Sequence, residues 1–249
     1  MVSVSLQFHE EAVVKVSGGK SVYGASVGIL MLEARFPRIP GDMGNALTWP
    51  FPVLYKVVRG ASPDRVVRRG AEGLLDAFVD AAQDLVRDGA DGITTNCGFL
   101  SLYQAELAAA VGVPVAASSL MQVEMVNRLL PPGKRAGVLT ISGSTLTAEH
   151  LAKANVPADT PLGTTEGGRE FTRALLDNEL ELDVDLARQD NVDAAKALVA
   201  AHDDIGALVL ECTNMVPYAA DIRDAVGLPV FSIESFVTWF QSGLVPRRY

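Results

Sequence analysis

Two stretches of this 249-residue chain repeat one another, and they carry its only two cysteines. Cys97 lies in DGITTNCGF and Cys212 in LVLECTNM. Placing Cys97 on Cys212, an offset of 115 positions, also puts Tyr103 on Tyr218, Ala105 on Ala220 and Ala110 on Ala225. It puts Val111-Gly112 on Val226-Gly227 and Pro114-Val115 on Pro229-Val230, while Glu106 and Asp221 keep an acid. Matches in one register around both thiols mark an internal duplication. Each copy reads as an apolar strand, a cysteine, a segment of helical spacing and a VG(V/L)PV strand. Each thiol is therefore expected at a strand-to-helix turn, where open α/β sheets present ligand-contacting groups.

The rest of the pattern extends this reading. The strands are apolar throughout and alternate with helical segments, which predicts parallel sheets covered by helices. The expected architecture is α/β: two similar doubly wound parallel-sheet units, related by a pseudo-two-fold, with the active site in the cleft between them. Residues 1–26 read as an N-terminal extension. Residues 27–117, with 231–249 folding back, form the first unit, and residues 118–230 form the second. Strands are expected at 27–32 and 53–58 and in AGVLTISGST (136–145), which ends in a polar turn. Gly137-Val138-Leu139 echoes Gly28-Ile29-Leu30. Ser62-Pro63 opens a helix whose stripe Val67, Ala71, Leu74, Leu75, Phe78, Ala82 and Leu85 runs to a stop at Gly89. Further helices are expected at 119–130, 146–155, 169–177, 190–203 and 234–242. RFPRIPGDMGNALTWPFP (35–52) is a long structured loop on the cysteines' side of the sheet. It reads equally as a substrate-contact loop, with Asp42, Asn45 and Thr48 as polar contributors, or as a dimer interface.

TTNCG and ECTN resemble the aspartate/glutamate racemase superfamily, which includes glutamate, aspartate and hydantoin racemases. The similarity spans most of residues 24–240. The resemblance implies a cofactor-independent enzyme with Cys97 and Cys212 on opposite faces of a substrate α-carbon. One thiolate would remove the proton and the other thiol would supply one. Such a step needs a base of useful pKa and stabilisation of enolate-like charge, and helix N-termini lower thiol pKa values. Thr95, Asn96, Gly98, Thr213 and Asn214 flank the thiols as candidate substrate contacts. Thr213 matches the family Thr after the second cysteine. Thr140 matches a Thr after the strand that opens the second domain, with Ser144 and Thr145 in the turn beyond. Three positions depart from glutamate racemases. Asn214 stands where they have His, Asn96 precedes Cys97 where their Asn follows, and Glu211 precedes Cys212 where small residues are usual. A carboxylate at 211 would raise the thiol pKa unless it points away.

The implied activity is a racemase or epimerase acting on an amino acid or related carbonyl compound. Hydantoin racemisation, and maleate-isomerase-like or arylmalonate-decarboxylase-like chemistry on the same fold, stay open. So do a non-catalytic small-molecule binding protein and a structural Cys97–Cys212 disulfide. The net charge of -9 argues against nucleic-acid and membrane-surface partners. The expected partner is a small-molecule carboxylate, with a homo-oligomer possible. No apolar run is long enough to span a bilayer and no signal peptide is read, so a reducing, cytoplasmic setting is expected. SGGKS (17–21) lacks the Gly at Val14 that a phosphate loop requires, and no Gly-x-Gly-x-x-Gly run follows a strand. His9, His150 and His202 share no metal-ligand spacing. Tyr103 and Tyr218 read as packing residues.

Overall fold

The computed structural model describes residues 17–248; Val14 and His9 lie outside them. Two four-stranded sheets form, every strand pair parallel. The first has the order β2-β1-β3-β4, from β1 (Val27–Leu32), β2 (Val53–Val58), β3 (Gly92–Thr95) and β4 (Val115–Ala116). The second has the order β6-β5-β7-β8, from β5 (Arg135–Thr140), β6 (Leu162–Thr164), β7 (Ile205–Leu210) and β8 (Val230–Phe231). The two orders correspond strand for strand, as the duplication requires. β1 is buried along its whole length because it lies between two strands and under helices on both faces. Gly28 lets helix α1 (Leu75–Asp88) approach this strand: a Cβ there would stand 2.9 Å from Ile93 and 3.1 Å from Leu85. Gly137 does the same for β5, where a Cβ would meet Ile205 at 2.8 Å.

The helix expected from Ser62 to Gly89 is broken. One π-helical turn spans Asp64–Arg68, and α1 begins only at Leu75. Gly70, Ala71 and Gly73 take φ of 62°, 57° and 71°, left-handed backbone that no helix continues through. The apolar stripe misled because Val67, Ala71, Leu74 and Phe78 are buried on both sides of the break. The break carries Pro63 and Val67 over the cleft.

After each cysteine the chain makes a 3-10 turn before its helix. Gly98–Tyr103 leads into α2 (Gln104–Val111), and Thr213–Tyr218 leads into α7 (Ala219–Val226). Both helices end on left-handed glycines, Gly112 at φ 68° and Gly227 at φ 69°. The second unit adds α4 (Ala148–Lys153), α5 (Phe171–Leu176) and α6 (Val184–Ala201). α6 starts six residues before the expected position, where the Asp183 side chain accepts from Asp185 and Leu186 N–H groups. Between the sheets, α3 (Val123–Leu129) follows a short 3-10 turn. The last helix, α8 (Ile233–Leu244), returns to the first sheet, where Ile233, Phe236 and Val237 pack with Val27, Ile29 and Ala116. Among the described residues no helix is long and apolar enough to cross a membrane.

Candidate active site

Both thiols are free, so the disulfide reading is set aside. Cys97 and Cys212 stand at the ends of β3 and β7 as the N-caps of their 3-10 turns, and they line one cavity between the units. The first unit contributes Leu32, Phe36, Arg38, Pro63, Val67, Asn96, Gly98 and Phe99, and the second contributes Ile141, Leu175, Leu176, Glu211, Thr213 and Asn214. The lining is mainly apolar. The space left within it is small, about 20 Å³, roughly one water-sized sphere.

Hydrogen bonds fix the two halves against each other. Thr213 Oγ1 donates to the Asn96 carbonyl at 2.6 Å, across the cleft. Asn96 Oδ1 accepts from Leu32 N–H at 2.7 Å, which ties the first turn to the end of β1. Thr95 Oγ1 donates to the carbonyls of Ala117 (2.6 Å) and Cys97 (3.0 Å) and shapes the Cys97 turn from behind. Gly98 admits the other unit: a Cβ there would lie 2.2 Å from Glu211 Oε1 and 2.5 Å from the Glu211 carbonyl oxygen.

The 35–52 loop reaches the site through Asp42, which is buried. Its carboxylate accepts from Arg38 (2.8 Å), Gly44 N–H (2.7 Å) and Asn214 Nδ2 (2.5 Å). A carboxylate only accepts here, so Asn214 must turn its NH₂ to Asp42 and its Oδ1 the other way. That oxygen accepts from the Cys212 thiol at 3.6 Å. Asn45 and Thr48 hold the loop itself, donating to the carbonyls of Arg38 and Asp42. Phe36 and Arg38 are the loop's cavity residues, with the guanidinium 4.7 Å from the ring centroid.

The electrostatics of the two thiols differ in detail. Burial, then the Glu211 carboxylate, pushes both pKa values well above the usual thiol range. Backbone N–H groups of Phe99 and Leu100 oppose this at Cys97, and that of Asn214 opposes it at Cys212. Glu211 itself is pushed up to about 7 by burial, against hydrogen bonds from Thr140 and the Ile141 backbone.

Of the sequence-selected residues, Asn96, Gly98, Thr213 and Asn214 line the cavity with the thiols. Thr95 and Thr140 lie behind it, both fully buried, with Thr140 Oγ1 donating to Glu211 Oε2 at 2.7 Å. Ser144 and Thr145 are elsewhere. The Glu166 carboxylate takes Ser142 Oγ (2.7 Å) and Ser144 N–H (3.0 Å), and Thr145 donates to Ser142. Partial burial pushes the Glu166 carboxyl up, but the Ser144 and Ser142 hydrogen bonds outweigh it and hold it low. His150 backs the site without entering it, its ring edge-on to Phe99 at 5.0 Å, and burial pushes its pKa below the usual value. Phe36 and Arg38 belong to the 35–52 loop read as a substrate-contact loop, with Arg38 paired to Asp42, whereas Pro63, Val67, Ile141, Leu175 and Leu176 carried no local signal in the sequence. Among the described residues no group of three or more His, Cys, Asp or Glu is placed to hold a metal ion.

No family model matches the sequence. The chain is 28% identical over 229 residues to a dimethylsulfoniopropionate lyase of Durusdinium sp. clade D, covering 89% of this chain and 75% of the relative. It is 28% identical over 242 residues to dimethylsulfoniopropionate lyase 7 of Emiliania huxleyi (strain CCMP1516), covering 88% and 67%. Arylmalonate decarboxylase superposes with a TM-score of 0.58 at 17% identity, over 90% of this chain and 94% of that one. Glutamate racemase of Bacillus anthracis also gives 0.58, at 16% identity over 89% and 81%. Picrophilus torridus aspartate racemase gives 0.51 at 13% identity over 88% and 95%. At these identities the structural likeness is one of fold: the racemase-type pair of parallel-sheet units read from TTNCG and ECTN.

Proposed function

We propose that this chain is a carbon-acid enzyme that takes a proton from the carbon α to a carboxylate, and that its product forms by β-elimination. The observation that carries the proton-transfer step is the pair of thiols, each at the N-cap position of a 3-10 turn, lining one cavity. We assign Cys97 as the base: burial and Glu211 raise its thiol pKa as they do that of Cys212, but two backbone N–H groups, of Phe99 and Leu100, oppose the rise at Cys97 where one, of Asn214, opposes it at Cys212. Cys212 is the protonated partner on the opposite side, because the orientation of Asn214 gives its S–H an acceptor.

Elimination is favoured over inversion by the lining and by the relatives. Leu32, Phe36, Val67, Phe99, Ile141, Leu175 and Leu176 suit a small acid with an apolar or soft β-substituent. The cation in the lining, Arg38, is engaged by Asp42. The sequence relatives are dimethylsulfoniopropionate lyases. For that substrate the α C–H electron pair becomes the C=C bond of acrylate, the Cβ–S bond breaks, and its pair leaves with dimethyl sulfide. The leaving group departs neutral and needs no proton. Inversion of an amino acid or hydantoin is the second reading. It is supported by the retention of two equivalent thiols, since it alone requires both for proton transfer.

The test is to incubate the protein with dimethylsulfoniopropionate and follow dimethyl sulfide and acrylate. In parallel, both enantiomers of aspartate and glutamate, and 5-substituted hydantoins, are followed in D₂O for loss of the α-proton signal. Stoichiometric release of both products supports elimination. Exchange of an α-proton without release assigns the chain to racemisation, and neither outcome sets aside the carbon-acid reading for these substrates.

A further inference from the structure

Removing a proton α to a carboxylate drives charge onto the carboxylate oxygens, and that charge must be met by preorganised donors. Arg38 is held by Asp42 at 2.8 Å, so the lining cation is already paired. Among the described residues that line the cavity, Glu211, fully buried at the end of β7, has a buried side-chain oxygen without a hydrogen-bond partner. Its Oε2 accepts from Thr140 Oγ1 at 2.7 Å, and the Ile141 backbone N–H also serves the carboxyl. Its Oε1 has no partner among the described residues and stands over Gly98 in the cavity wall. An ionised carboxylate there would leave lone pairs against an apolar lining and two thiols, an expensive arrangement. With Oε2 occupied as an acceptor, a proton on the carboxyl belongs on Oε1, where the protein offers its O–H no acceptor.

We propose that Glu211 is a further catalytic residue: its Oε1–H donates a hydrogen bond to a carboxylate oxygen of the bound substrate. The bond strengthens as proton abstraction by Cys97 turns that carboxylate into an enediolate. Glu211 keeps its proton throughout, so the step stays balanced with the α-proton on sulfur. A neutral acid also spares both thiols the charge that would oppose thiolate formation. This inference rests on the carbon-acid reading above and is common to elimination and inversion.

The charged or titratable groups around Oε1 are Cys97, Cys212 and Arg38, with Asp42 behind Asn214. The experiment therefore follows the carboxyl itself. Infrared spectra of the substrate-free protein are compared with Glu211→Gln from about pH 5 to pH 9, as linkage analysis requires. Expected is a protonated-carboxyl C=O band, absent from the variant, that fades as pH rises through about 7. Thr140→Val should shift that band, and propionate, used as the carboxylate probe, should shift it in the native protein. In turnover, Glu211→Gln keeps a donor and should stay within about 10-fold of wild type, with kcat/KM no longer falling above neutral pH. Glu211→Leu removes the donor and should lose about 10² to 10³-fold in kcat. A carboxyl ionised at pH 6, a band indifferent to propionate, or Glu211→Gln as impaired as Glu211→Leu would each overturn the assignment. The infrared arm needs no turnover, so it decides Glu211 even if every tested substrate fails.

Discussion

At the scale of single residues, the site depends on what two neighbours do to two thiols. Burial, the larger cause, raises the Cys97 and Cys212 pKa values, and Glu211 adds to it when ionised, so in the substrate-free protein both thiols should be alkylated slowly by iodoacetamide at pH 7. Above neutral pH Glu211 ionises and opposes thiolate formation. Glu211→Gln should therefore be alkylated faster than wild type at pH 9, and an equal or slower rate would contradict the coupling. Gly98 is the other decisive residue. Its missing Cβ is what lets the Glu211 backbone and carboxyl of the second unit reach the Cys97 turn. Gly98→Ala would place a methyl 2.5 Å from a main-chain oxygen, which cannot swing aside as a side chain can. A destabilisation of about 2–3 kcal/mol is expected in denaturant titrations, with loss of activity because the two half-sites are pushed apart.

At the scale of elements, the 35–52 loop positions the second thiol as well as covering the first. Asp42 collects Arg38, Gly44 and Asn214, and Asn214 in turn orients toward Cys212. Asp42→Ala leaves the Arg38 guanidinium unpaired at a half-buried position and frees Asn214. It should cost roughly 3 kcal/mol, the scale for breaking one side of a buried ion pair. Thermal unfolding would show the loss, and a variant as stable as wild type would show that Arg38 finds solvent instead. The elements also mark where reading from sequence stopped. The duplicated strands and both thiol turns were legible because local pattern and chain register agree on them, whereas Gly112 and Gly227, read as part of VG(V/L)PV strands, are helix C-caps. The break before α1 was not, because burial continues across it. Gly70 and Gly73 were its signal. β6 is only three residues long, and nothing in LGT distinguishes it from loop. Ser144 and Thr145 sit in the turn after β5, as their position promised. Ser144 bonds Glu166, some twenty residues on, and Thr145 bonds Ser142, and no local pattern announces the Glu166 pairing. Phe36, Leu175 and Leu176 come to the thiols only when the two units meet.

At the scale of the whole molecule, the buried acid should appear in stability. The Glu211 carboxyl has a folded-state pKa raised from 4.5 to about 7, so the folded state holds its proton more tightly than the unfolded chain does. Its contribution is neutral below about pH 4.5 and becomes increasingly unfavourable as pH rises to about 7, by roughly 3 kcal/mol in all. Glu211→Gln should remove that loss. The stability difference between variant and wild type, measured in denaturant at several pH values, should widen from pH 4.5 to 7 and then level off. The surface carboxylates whose pKa values are lowered, such as Glu33 and Glu106, act in the opposite sense at lower pH and cancel in the difference.

The Cys97 thiol as the base at an α-carbon is tested most directly by one comparison. Release of dimethyl sulfide and α-proton exchange in D₂O are measured for wild type, Cys97→Ser and Cys212→Ser, with folding checked by circular dichroism. Cys97→Ser should lose at least about 10²-fold in whichever activity the wild type shows, the scale of a lost general base. Cys212→Ser should be hit less in elimination and as hard in inversion. A Cys97→Ser variant that turns over within a few fold of wild type would contradict the thiol as base, whatever the substrate.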